Sequence, residues 1–471
     1  MKKQTKILAT ISDLRCSEEF IKSLYDAGMN GVRMNTAHQS LEDTLRIVQN
    51  VRKVSDKLPL VLDTKGPEIR TTKKAEDINV KAGETVMVKG DPATESRRSL
   101  VCVTYKDFAK DVPVGQVILF DDGAVSLKVE KKDGDILVCK VENDGQIGGR
   151  KSVNVPGVHI KLPSLSEKDK AYVEFCIEHD IDFIAHSFVR NKQDVLDIQK
   201  MLDAKNSKCQ IIAKIENQEG VDNIDEILDH VYGVMVARGD MGIEVPAEQV
   251  PSIQKMIIRK CRERKKMVIT ATQMLHTMME NPRPTRAEVS DIANAVYDGT
   301  DCVMLSGETA NGKYPLEAVT IMAKIVKATE DHNIGMKAVD TVHSANEIPA
   351  FLAEKAVEAC QKLPVKGIII DTSTGRTARY ISAFRGVQPI YVQCYDERVM
   401  RRLSLSYGAV ASSITENTDR TSFVKLTLEN LLKMKELSEK DTVLVLAGHF
   451  GPSTGASYME ISTVENLLKK Q

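Results

Sequence analysis

Residues 210–220 read QIIAKIENQEG: an apolar run is broken by Lys214 and Glu216, then gives way to amide and acidic residues and a glycine. Side chains alternate across a strand, so these two charges, two residues apart, share one face. Seven further runs have the same form: KILATI, GVRMNTA, PLVLDTK, DFIAHSF, GVMVARGD, MVITATQM and DCVMLSGE. Each is short and rich in Val, Ile and Met, and most precede a stretch of helical periodicity, which is the rhythm of a parallel sheet covered by helices. Eight βα units predict an α/β protein built on a closed TIM (β/α)8 barrel, with Lys214 and Glu216 in its interior. Arg33, Asn35, Asp63, Lys65, Asp240, Thr272 and Ser306 fall, like them, at the C-terminal ends of the runs. That rim is where such barrels collect catalytic side chains.

The rhythm breaks between DTKGPEIR and a helix expected near Ser166. Within the break, ETVMVKG, QVILFDDG and DILVCKVEN alternate apolar and polar residues and are punctuated by Gly and Asp, which predicts a small antiparallel barrel inserted after the third strand. Residues Ala338 to Pro349 lack periodicity and predict a linker. Beyond them, GIIIDTST, PIYVQCYD and DTVLVLAGHF alternate with helices as a separate α/β domain. The expected division is a barrel over 1–70 and 159–335, an inserted β-rich domain over 71–158 overhanging the rim, and a C-terminal α/β domain over 336–471.

The 471 residues carry 65 Lys and Arg against 66 Asp and Glu, a net charge of -1. No global field recruits nucleic acid or an anionic membrane, so any phosphate binding is local. The apolar run near the N-terminus is too short for a signal peptide or a membrane span, and no later segment is long enough to span. Nine cysteines include no CxxC pair and no histidines at zinc spacing. They argue against a disulfide framework and for a reducing cytoplasm.

A lysine and a carboxylate on one apolar strand could be a structural ion pair. Buried pairs are poor stability devices, however, so the arrangement points to a site. MVARGDMG sets Asp240 between Gly239 and Gly242, where backbone amides can approach an anion closely. Glu216 and Asp240 offer two hard carboxylates, the usual protein share of a Mg2+ site completed by substrate oxygens and water. RMNTAH and DTKGPEIR add Arg33, Asn35, His38, Asp63, Lys65, Glu68 and Arg70. Arginine suits phosphate through its planar fork, and Asn35, Asp63 and the Thr64 carbonyl could hold a further hard cation.

Together with residues 271–319, ATQMLHTMMENPRPTRAEVSDIANAVYDGTDCVMLSGETANGKYPLEAV, these segments closely resemble the pyruvate kinase family. The resemblance runs from Thr5 to about Lys327. It is most specific in IIAKIENQEG, MVARGD and NPRPTRAEVSDIANAV, and looser in the C-terminal domain. It implies transfer of the phosphoryl group of phosphoenolpyruvate to ADP, giving pyruvate and ATP, with Mg2+ (or Mn2+) and K+. It also implies a mobile lid, a regulatory C-terminal domain and a homotetramer. By motif match, Lys214 corresponds to the catalytic lysine, Arg33 to a phosphoryl contact, and Glu216 and Asp240 to divalent-metal ligands. Thr272 matches the family's threonine near the substrate's carboxylate and methylene carbon, and Gly239 and Asp240 match residues beside the substrate. Asn35, Asp63 and Thr64 match K+ ligands; His38, Arg70 and Lys151 match residues near the nucleotide.

Two departures stand out. NTAHQ replaces NFSHG, so Ala37 removes a serine hydroxyl from the K+ shell and should weaken the site, although Glu68 matches the K+-dependent branch. The first loop reads ISDLRCS where the family has IGPAS. In TSTGRT, a strand-to-helix loop gathers Thr372, Ser373, Thr374, Gly375 and Thr377, a setting that suits a phosphate but also ordinary helix capping. The matching family loop implies a phosphorylated allosteric effector.

Three rivals are open to this reading. GETANGKY places Gly307, Gly312 and Lys313 at Walker A spacing, although Tyr314 stands where a Ser or Thr should meet Mg2+ and Pro315 opens the helix. A Mg2+-dependent aldolase or lyase would share the fold. A catalytically silent, metabolite-binding regulator would lack a reason to keep Lys214, Glu216 and Asp240.

Overall fold

The computed structural model describes residues 3–37, 39–332, 348–413, 420–448 and 455–469. His38 and most of the Ala338–Pro349 segment lie outside the described residues.

All eight expected runs are strands: β1 (Lys6–Thr10), β2 (Gly31–Asn35), β3 (Leu60–Asp63), β4 (Phe183–His186), β5 (Gln210–Ile215), β6 (Gly233–Ala237), β7 (Met267–Ala271) and β8 (Cys302–Leu305). Each pairs in parallel with its neighbours in chain order, and β8 closes on β1. The period of two sorts their side chains. Ile211, Ala213 and Ile215 pack outward into the core beneath the helices, whereas Ile212 packs inward with Leu8, Val61, Phe183, Met235, Ile269 and Met304. Lys214 and Glu216 continue the inward series to the C-terminal mouth, where the apolar filling stops.

The insertion forms a six-stranded sheet in the order Val153–Asn154, Val117–Phe120, Val125–Asp133, Ile136–Val141, Thr85–Gly90 and Val101–Val103. Its two edges are joined by Arg70, bridged to Ser152, and Thr71, bridged to Val103. A small barrel closes in this way around Val86, Val88, Phe120, Leu127 and Leu137. The chain that enters the insertion is thus the seam that closes it. Val125–Asp133 was not singled out in the sequence because its second half is exposed and its register shifts between Val129 and Lys131. Where the chain returns to the barrel, Ser166 and Asp169 form a capping box that starts the helix Glu167–Glu178.

The C-terminal sheet runs Ala409–Ser413, Ile390–Cys394, Val365–Thr372, Thr442–Ala447, Tyr458–Thr463, parallel except for the last, antiparallel edge strand. This unit plugs the barrel floor. Leu405 is fully buried within the interior cluster of the barrel, and Lys6 donates to the Ala409 carbonyl at 2.7 Å. Around the plug, Arg401 pairs with Asp182 at 2.6 Å and Arg385 with Asp301 at 2.8 Å. Asp182 also accepts the Leu60 amide, and Asp301 the amides of Val268 and Tyr407. These carboxylates are buried but saturated by donors from both units, the condition under which buried charge is tolerated. All nine cysteines are free and buried. Among the described residues, no helix is long and apolar enough to cross a membrane.

Candidate active site

Four consecutive strands deliver one charge cluster to the mouth of the barrel. Arg33, near the end of β2, donates through Nε to Asp63 Oδ2 at 2.7 Å, and its second terminal nitrogen pairs with the same oxygen. Its remaining nitrogen reaches Thr10 Oγ1 at 3.1 Å. Lys214 Nζ lies 3.1 Å from Asp63 Oδ1 and 2.9 Å from Glu216 Oε1, and donates to Ser187 Oγ at 2.7 Å. Ser187 turns its own proton to the Thr64 carbonyl at 2.7 Å. Asp63 and Glu216 are each 1% exposed, so solvent does little to screen these contacts.

The charges divide unevenly. Burial works to raise Asp63, but Arg33 and Lys214 outweigh it and hold the carboxyl below its ordinary range. Burial works to lower Lys214, but Asp63 and Glu216 outweigh it and keep the ammonium charged well beyond neutrality. For Glu216 burial prevails: Lys214 opposes it, but with Asp240 and Asp63 adding repulsion the carboxyl is pushed up to about 7. Its Oε2 accepts the Phe188 amide at 2.7 Å, and its Oε1 faces the Lys214 ammonium at 2.9 Å. Among the described residues no second donor reaches Oε1, and a buried carboxylate oxygen left to a single ammonium suits a further cation.

Asp240 lies half-buried in the helix Arg238–Glu244, near enough to Glu216 to repel it. Among the described residues, no group of three or more His, Cys, Asp and Glu side chains could hold a metal ion. Two carboxylates do fit Mg2+, which keeps water and substrate oxygens as its other ligands. Beside them, Thr272 Oγ1 accepts the Gly239 amide at 2.9 Å. Thr272 has φ +70°, rare for a β-branched residue, and such a conformation costs about 1–3 kcal/mol unless its surroundings enforce it. Arg238 enforces it, donating to the Ala271 carbonyl at 3.2 Å and the Thr272 carbonyl at 2.7 Å while paired with Asp291.

Arg70, Lys151 and Asn35 make their contacts outside this cluster. Arg70 donates to Glu68 at 2.8 Å and to the Arg150 carbonyl at 2.7 Å. It lines a cleft of about 900 Å3 between rim and insertion with Lys65, Lys73, Thr94 and Arg150. Lys151 is not among that lining and pairs instead with Asp121 at 3.0 Å. Asn35 Oδ1 accepts the Ala37 amide at 3.1 Å, and Lys168 donates to the adjacent Thr36 carbonyl at 2.7 Å. In the C-terminal unit, Thr372 Oγ1 accepts the Gly375 amide at 2.8 Å, Ser373 and Thr374 are exposed, and Thr377 is buried. Gly375 has φ +79° at the cap of the helix Arg376–Ala383.

Ser187, Phe188 and Arg238 were missed in the sequence. Ser187 and Phe188 end the quoted run DFIAHSF, and Arg238 precedes the glycine of ARGD; rim position was the available signal for all three. The Walker A rival fails on geometry. The Gly312 amide is spent on the Gly307 carbonyl, Glu308 occupies the amides of Leu275 and Ser306, and Lys313 pairs with Glu280 in solvent.

A barrel whose mouth holds a buried lysine among carboxylates, beside an arginine and below a cationic cleft, defines an enzyme acting on phosphorylated anions. The sequence profile described as "Pyruvate kinase, barrel domain" matches residues 2–319, and "Pyruvate kinase, alpha/beta domain" matches 351–462. The pyruvate kinase of Borreliella burgdorferi is 48% identical over 99% of this chain and 98% of its own length. That of Clostridium acetobutylicum is 42% identical over 94% and 96%. The crystal structure of a pyruvate kinase from Cryptosporidium parvum superposes with a TM-score of 0.92 at 35% identity, covering 98% of this chain and 96% of that one. The chain belongs to the pyruvate kinase family. It transfers the phosphoryl group of phosphoenolpyruvate to ADP, giving pyruvate and ATP at the last step of glycolysis.

Proposed function

We propose that Lys214 and Arg33 stabilise the transferring phosphoryl group. The supporting observation is that Lys214 is held charged and buried between Asp63 and Glu216. Phosphoryl transfer needs positioning and compensation of charge on the equatorial oxygens, and a fixed ammonium and guanidinium supply both. A divalent cation, Mg2+ or Mn2+, held by Glu216 and Asp240 would supply further charge neutralisation when bound. Thr272, fixed by Arg238 and by the Gly239 amide, orients the carboxylate end of phosphoenolpyruvate on this reading and joins the proton relay to the enolate carbon. Asp240 and Gly239 border that substrate pocket. The cleft lined by Lys65, Arg70 and Arg150 takes the phosphates of ADP, with His38 and Lys151 as further nucleotide contacts. The functional units on this reading are the barrel over 1–70 and 159–335, a lid over 71–158 and a regulatory domain over 336–471.

For the monovalent cation we assign Asn35, Asp63 and the Thr64 carbonyl. Ala37 contributes no hydroxyl, and Lys168 already presents an ammonium to the neighbouring carbonyl; both features lower the affinity for K+. The exposed Ser373 and Thr374, with Thr372, Gly375 and Thr377 shaping their loop, are assigned to a phosphorylated effector. Assembly as a homotetramer in the cytoplasm, with no nucleic-acid or membrane partner, completes the proposal. Calorimetry with a panel of sugar phosphates checks the effector loop: binding that Thr374→Ala weakens supports it, and no binding by any of the panel removes it.

Lys214→Met should lower kcat by at least about a thousandfold with a smaller change in KM for phosphoenolpyruvate, because the charge acts chiefly in the transition state. Near-normal turnover in a folded variant would remove Lys214 from the chemistry. Initial rate titrated against KCl at constant ionic strength should rise with K+, and Ala37→Ser should shift half-activation to lower K+. A flat curve for the parent would show that the site does not operate.

A further inference from the structure

The returning end of the lid is fastened to the barrel by contacts that the chemistry above does not use. Asn154 is the last residue of the lid strand Val153–Asn154, opposite Leu119 in its sheet. Its side-chain amide donates to Glu244 Oε1 at 2.7 Å. Farther along, His159 Nδ1 lies 2.8 Å from Glu219 Oε2, and Arg190 donates to the carbonyls of Ile160 and Leu162, each at 3.0 Å. A cavity of about 300 Å3 lies between this strand and the rim, lined by Val153, Val155, Asp240 and Glu244 among others.

Glu244 has no place in the phosphoryl or nucleotide contacts. Its position is nonetheless specific, because it ends the helix Arg238–Glu244 four residues after Asp240. Residues four apart on a helix lie on one face, a turn apart, and both border the same cavity. The helix that carries Asp240 therefore also carries the acceptor for the lid. Arg238 opens the same helix and holds Thr272, so the segment between lid and substrate pocket is short and has few freedoms.

We infer that Glu244 is a positioning residue: by accepting the Asn154 amide it ties the lid's exit strand to the helix presenting Asp240, so that lid position and the placement of Asp240 change together. A closed lid excludes water from the transferring group, and this tie makes closure and assembly of the cation site one event. The inference rests on the proposed role of Asp240.

The test pairs Asn154→Asp with the double variant Asn154→Asp, Glu244→Gln. The single change sets two carboxylates face to face. The double change restores the hydrogen bond with its direction reversed, since glutamine donates and aspartate accepts. Two readouts are needed: hydrogen exchange at the Val153 amide, which is bonded to the Ile69 carbonyl, and steady-state kinetics against Mg2+. Asn154→Asp should raise Val153 exchange about tenfold, lower kcat about tenfold and raise the Mg2+ needed for half activation, consistent with loss of a hydrogen bond to a charged group. The barrel amides of Ile212 and Val236 should stay protected, showing an intact fold. The double variant should recover exchange and kcat to within about threefold of the parent. Parental exchange and kcat in Asn154→Asp, or no recovery in the double variant, would overturn the tie. Faster exchange with unchanged kcat and Mg2+ dependence would overturn the coupling to Asp240. Wild-type Mg2+ dependence in Asp240→Asn would instead overturn the metal assignment, leaving the exchange result to decide the tie alone.

Discussion

One ammonium shared by two buried carboxylates governs the active site. Lys214 touches both Asp63 and Glu216, and of these two carboxylates Arg33 pairs with Asp63. Asp63 is therefore doubly compensated and Glu216 only partly. Uncompensated burial of a carboxylate costs several kcal/mol, which is why the Glu216 carboxyl is pushed up to about 7 while Asp63 goes the other way. With Asp240 counted, three carboxylates stand against the two cations Lys214 and Arg33, and Glu216 bears the repulsion. On the proposed reading, a divalent cation offsets that deficit and the fixed ammonium faces the phosphoryl group.

The barrel exists in this form because the cluster needs several strands at once. Arg33, Asp63, Ser187 and Lys214 come from the ends of β2, β3, β4 and β5, and Thr10 reaches Arg33 as its register partner in the adjacent strand β1. Closure has to be secured from below. Leu405 fills the floor, and Asp182 and Asp301 hold it by pairing with Arg401 and Arg385 of the C-terminal unit. Arg385 follows the helix Arg376–Ala383, whose N-terminal cap is Gly375 of the effector-loop assignment. That loop and the barrel floor are thus separated by little more than one short helix.

The eight strands were legible because a buried parallel strand is an unbroken apolar run and because its C-terminal end must turn polar at the rim. Lys214 and Glu216 were legible for the same reason, as charges in a place that otherwise tolerates none. Ser187 was not, since a serine after a strand looks like any cap until its hydroxyl is seen between Lys214 and the Thr64 carbonyl. Arg238 was hidden because its role is to hold the backbone of Thr272, and a positive φ on a threonine leaves no mark in composition. The strands Ala409–Ser413 and Tyr458–Thr463 escaped notice as polar edges of their sheet. The barrel floor was unreadable because Leu405 and Leu8 are far apart in sequence and their contact has no local signature.

The central claim is that Glu216 is the under-compensated carboxylate and that a divalent cation completes it. It is tested most directly by calorimetric titration of the protein with Mg2+, without substrates, in buffers of differing ionisation enthalpy. A carboxyl at about 7 is substantially protonated at pH 6.5 and must lose its proton to bind the cation. Binding should therefore release most of about one proton near pH 6, less as pH rises through 7, and almost none by pH 9. Glu216→Gln should show no such release. Mg2+ binding that liberates no proton at any pH, or a release that survives Glu216→Gln, would contradict the account.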